Sequence, residues 1–146
     1  MKKIIILLTL IYAVTAASAQ NSLNIGKLFG DKYRQNENTT ETIISGDALK
    51  GTGLDFYRSL VINGSPELAD EISSTVMKDG NDAVSREVKY IDGKIYYARF
   101  MLKPERKSNR YILFLNTHLK GGNRIMLLYM TGKADLEEIK KLINKQ

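Results

Sequence analysis

The sequence contains no cysteine. Disulfide staples, thiol nucleophiles and thiolate metal sites are therefore excluded. So is a bacterial lipoprotein anchor, which needs a cysteine after its leader. Histidine occurs once, as His118, with no ligand spacing around it. Neither a Gly-x-Ser-x-Gly elbow nor a Ser-x-x-Lys pair is present. Gly46, Gly51 and Gly53 match neither dinucleotide-binding nor phosphate-loop spacing. Asp79-Gly80-Asn81-Asp82 lacks the other ligands of a calcium loop and reads as a helix end closed by Gly80. No cofactor and no metal are expected. Charge is not strongly one-sided either. The formal net charge is +6, and loss of Lys2 and Lys3 with a leader leaves about +4. That is too modest and dispersed to argue for nucleic acid.

What is present begins with that leader. Met1-Lys2-Lys3 is a short basic region, Ile4 to Val14 is apolar, and Ala17-Ser18-Ala19 offers small residues to a signal peptidase. The apolar run falls short of the roughly 20 residues a bilayer span needs. Residues 1–19 therefore read as a signal peptide cut at the Ala17/Ala19 site. Residues 20–146 read as a single domain, periplasmic or secreted, with the leader its only membrane contact. The full chain has 146 residues, 43% hydrophobic and 26% charged, which suffices for one core.

The periodicity predicts an α+β fold, a mainly antiparallel sheet flanked by helices at about 22–35, 66–79 and 135–145. Leu23, Leu28, Phe29 and Tyr33 define the first helix, with Ser22 as its cap, although Gly26 and Gly30 weaken it. Thr39 to Ser45 and Phe56 to Ile62 read as strands. Ser65-Pro66-Glu67 starts the second helix, whose stripe is Leu68, Ile72 and Val76. Asp135-x-x-Glu138 is a capping box opening the third.

Between the last two helices lies a four-stranded meander, about 83–131, punctuated at Ile91-Asp92-Gly93, Pro104 to Ser108 and Gly121-Gly122-Asn123. A three-residue loop at Ile91-Asp92-Gly93 is preferred, because it sets Val88 opposite Tyr96 and gathers apolar residues on one face. The runs 111–115 and 125–130 are apolar on both faces, which implies cover on both sides. The chain's own N-terminal segment or C-terminal helix is the expected cover. A homodimer with packed sheets is the alternative.

Candidate site residues are few. Lys103, Arg106, Lys107 and Arg110 form a basic hairpin tip, suited to an envelope protein or an anionic envelope component. A solvated turn that discourages edge aggregation is the plainer reading. His118 near a strand end is the remaining candidate. Asp47 and Asp55 flank a glycine-rich loop and are a candidate acid/base pair, with solvated loop carboxylates the commoner reading.

The run Ile125 to Ile139, after a charged hairpin, an apolar strand and a Gly-Asn turn, resembles the ending of small secreted domain-of-unknown-function proteins of Bacteroides-type bacteria. Leu28-Phe29-x-x-Lys32-Tyr33 before a Thr-rich strand is similar to their mature N-terminus. Members often carry a lipoprotein cysteine, from which this chain departs. The resemblance implies an envelope protein and supplies no site residues. The expected function is an exported, non-catalytic binding or interaction module of the bacterial envelope. A small periplasmic hydrolase using loop carboxylates and His118 is the alternative.

Overall fold

A computed structural model describes residues 23–36, 38–119 and 122–144. The residues read as a signal peptide, Ala17 and Ala19 among them, lie outside this range, as do Ser22, Gly121 and Lys145. Six strands form one antiparallel sheet: β1 (Thr39–Ser45), β2 (Leu54–Gly64), β3 (Ser85–Ile91), β4 (Lys94–Glu105), β5 (Ser108–Leu119) and β6 (Gly122–Gly132). Their order across the sheet is β1-β2-β6-β5-β4-β3. The first two strands, whose residues are read from the sequence as extended, thus join the sheet beside β6 and make it six-stranded. A 15-residue helix, α1 (Pro66–Gly80), connects β2 to the far edge strand β3 and touches β4, β5 and β6 on the way. A second helix, α2 (Leu136–Asn144), ends the described chain. No helix of the described residues is long and apolar enough to cross a membrane.

Each face of the sheet has its own cover, which explains the doubly apolar strands. On one face, Leu60, Ile62, Ala98, Phe100, Ile112, Phe114, Ile125 and Leu127 meet Ala69, Ile72 and Val76 of α1. Ile25, Leu28, Phe29 and Tyr33 complete that cluster. On the other face, Tyr111, Leu113, Leu128 and Met130 meet Ala134 and Ile139. The chain's own C-terminal helix covers this second face at one end. At nine residues α2 is about 14 Å long, and Leu115, Met126 and Tyr97 beyond it are only partly buried.

The predicted helix at 22–35 is absent from the described residues 23–35. A short 3₁₀ turn (Asn24–Lys27) and a series of turns take its place. Gly30 adopts φ +84, which an α-helix excludes. Tertiary contacts hold the segment instead. The Arg58 guanidinium lies 4.8 Å over the Phe29 ring, Arg58 pairs with Glu41 at 2.6 Å, and Glu41 accepts from the Gly30 N–H at 3.2 Å.

The β3–β4 register also differs from the expected one. Asp92 and Gly93 form a two-residue turn, both at positive φ (51 and 77). Tyr90 pairs with Ile95, the register then slips by one, and Val88 pairs with Ala98. A bulge near Tyr96, rather than a longer loop, brings Val88 onto the face of Ala98 and Phe100. Gly80 is likewise not a left-handed cap. It ends α1 inside the helix, and Asn81 follows at φ -60. A Cβ at Gly80 would lie 2.3 Å from the Phe100 ring, so packing requires the glycine.

Candidate functional site

The cleft begins with a buried acid. Asp79 sits three residues beyond Val76 on the inward stripe of α1, and is only 8% exposed. A bare carboxylate there would be costly. Three donors satisfy it: the Asn24 N–H at 2.7 Å, the Ile25 N–H at 2.8 Å and the Asn24 side-chain amide at 2.9 Å. Asp79 thus ties the 3₁₀ turn to the end of α1.

Next to this tie opens a cleft of about 300 Å³, lined by Leu23, Asn24, Lys78, Asp79, Asp82, Leu102, Lys103 and Arg110. Lys78 comes from the last turn of α1, Lys103 from β4 and Arg110 from β5. Arg110 braces the irregular end of the β4–β5 hairpin. Its Nε donates to the Lys103 carbonyl at 2.9 Å and its guanidinium pairs with Glu105 at 3.1 Å. Lys78 and Lys103 make no ion pair among the described residues. Deeper under the same end, the buried Tyr129 hydroxyl has no hydrogen-bond partner among the described residues. Burial pushes it above the usual tyrosine range, and the nearby Arg110 charge opposes the rise.

The basic tip read from the sequence is therefore divided. Lys103 and Arg110 line the cleft, whereas Arg106 and Lys107 form the exposed turn itself, at φ 54 and 66. His118 is elsewhere. It pairs with Asn123, which pairs with Gly64 of β2. Asp55 lies at the opposite end of β2, where it accepts from Ser108 at 3.1 Å and from Thr131. Roughly 30 Å of strand separates the two ends. Asp47 belongs to the short 3₁₀ turn (Gly46–Leu49) preceding β2. The structure does not bring His118 together with either aspartate. No group of three or more His, Asp or Glu gathers to hold a metal among the described residues.

Sequence reasoning missed Leu23, Asn24, Lys78, Asp79, Asp82 and Leu102. One signal was available for Asp79: its spacing from Ile72 and Val76 puts a charge on an apolar stripe, which asks for a buried partner. The others come together only through the tertiary fold. No curated protein matches the chain. Residues 12–143 match the model of a family of unknown function, DUF6108, and the chain belongs to that family.

Proposed function

We propose that the protein is an exported, non-catalytic binding module of the bacterial cell envelope, and that its cleft takes a phosphorylated sugar of that envelope. The observation that carries this reading is the convergence of Lys78, Lys103 and Arg110 on one open cleft. Three cations from three elements suit a phosphate group, and two of them have no carboxylate partner among the described residues. Asn24 and Asp82 on the same rim can bond sugar hydroxyls, and Leu23 and Leu102 offer apolar wall to a ring face. The volume lies at the small end of ligand sites, suited to one sugar unit. The basic leader with its Ala17-Ser18-Ala19 site supports export, and the resemblance to secreted proteins of Bacteroides-type bacteria supports an envelope setting. The separation of His118 from Asp47 and Asp55 favours binding over hydrolysis.

Isothermal titration with glucose 6-phosphate, using plain glucose as the control, tests the proposal. The phosphate ester is expected to bind, and the double variant Lys78→Gln/Lys103→Gln to weaken it at least about tenfold. Equal heats for both sugars, or full binding by the double variant, would overturn the cleft as the site. Steady release of inorganic phosphate would overturn the non-catalytic reading.

A further inference from the structure

The two edges of the sheet are β1 and β3, and each presents an unpaired row of backbone groups. Four large apolar side chains are strongly exposed: Ile43 at 58%, Val84 at 62%, Tyr90 at 57% and Ile91 at 53%. Three of these four lie on or beside β3. Such an edge normally invites any extended strand, and charged residues discourage it. The charges of β3 have a particular order. Reading Ser85-Arg86-Glu87-Val88-Lys89-Tyr90-Ile91 outward from Val88, Glu87 mirrors Lys89 and Arg86 mirrors Tyr90.

We propose that β3 is the interface of a homodimer, in which two copies of the strand pair antiparallel about Val88 and join two sheets into one. Directly opposed residues in such a pair share a face. Glu87 then faces the partner's Lys89, and the partner's Glu87 faces Lys89, so two opposite-charge pairs form at once. Arg86 faces the partner's Tyr90 on the other side of the sheet, a cation over an aromatic ring. Tyr90 also reaches the partner's Val84 and Val88 along the diagonals. Two of the four strongly exposed apolar residues, Val84 and Tyr90, thereby cover each other.

Residues already near the seam fit this arrangement. Glu87 holds the largely buried Arg99 at 3.0 Å and Lys89 lies 3.4 Å from the same carboxylate, so the two charges that would cross the seam share one face of the edge strand. The other edge has no such symmetry. Antiparallel self-pairing of β1 about Thr42 sets each Glu41 against an aliphatic Ile43 and forms no opposite-charge pair. The symmetry is isologous and closes at two copies. The charges that admit a second β3 reject a strand of another pattern.

The absence of cysteine makes a direct test simple. The protein is purified after expression of the full chain and studied by sedimentation and mild oxidation. The unsubstituted protein is expected to sediment as a dimer. Val88→Cys, which opposes its own copy, is expected to cross-link into a covalent dimer, whereas Tyr90→Cys, which opposes Arg86, is not. Lys89→Glu sets two pairs of carboxylates against each other and should raise the dimer dissociation constant about tenfold, with an unchanged circular dichroism spectrum. A monomer up to millimolar concentration, equal cross-linking at both positions, or a Lys89→Glu dimer of full strength would each overturn the proposal.

Discussion

Tyr111 and Tyr129 lie on neighbouring strands, both buried, and their hydroxyls meet different fates. Tyr111 donates to the Ala134 carbonyl at 2.6 Å, while Tyr129 finds no partner among the described residues. Tyr111→Phe should therefore lose about 1 kcal/mol in urea denaturation, and Tyr129→Phe should lose nothing or gain slightly. Both hydroxyls titrate above the ordinary tyrosine value because burial disfavours the phenolate. The unfolded chain then releases these protons at lower pH than the folded one. Their contribution to stability is full below about pH 10, the ordinary tyrosine value, and falls as pH rises from there through the folded-state values. Tyr33 and Lys32 are shifted in the same direction, Tyr33 by burial and Lys32 by its hydrogen bond to Glu71. Alkaline unfolding should be shallower in Tyr129→Phe, and an identical profile would contradict the assignment. Asp79 matters differently. Asp79→Ala leaves two backbone N–H groups without their acceptor and should cost about 2–4 kcal/mol in denaturant unfolding.

Among the elements, those with local punctuation were readable. Ser65 caps α1 as expected, its hydroxyl accepting from the Leu68 N–H at 3.2 Å, with Pro66 at the first position. The Asp135–Glu138 box forms in both directions, at 2.9 and 3.4 Å. Asp135→Ala should cost about 1 kcal/mol by thermal or urea melting. Elements whose shape depends on distant partners were not readable. The segment 23–35 has helical periodicity, but Gly30, Arg58 and Glu41 hold it in turns. The β3–β4 turn was misjudged because a bulge and a longer loop both bring Val88 to the apolar face. Only the first also satisfies the two-residue turn at Asp92-Gly93. Gly80 shows the same limit. Its place at a helix end suggested a cap, whereas the Phe100 ring from β4 is the cause. Gly80→Ala should destabilise by about 1–3 kcal/mol through overpacking. A Gly80→Ala protein of unchanged stability would show that the ring can move aside.

At the scale of the whole molecule, the double-sided apolar character of β5 and β6 correctly announced that both faces are covered. It did not announce that β1 and β2 extend the sheet, since pairing of β2 with β6 joins segments far apart in sequence. The cleft was half legible for the same reason. Lys103 and Arg110 belong to one hairpin and could be read together, but Lys78 and Asp82 reach them only because α1 crosses the sheet. That crossing gives the molecule a basic, open cleft at one end and leaves His118 at the other. The proposed function rests on ligand binding in this cleft. Backbone amide shifts recorded during titration with glucose 6-phosphate test it most directly. A cluster of shifted amides is expected at Asn24, Lys78, Asp82, Lys103 and Arg110, with Gly64 and His118 at the far end of the sheet undisturbed. Shifts centred on His118, or no shifts at saturating sugar phosphate, would contradict binding at the cleft.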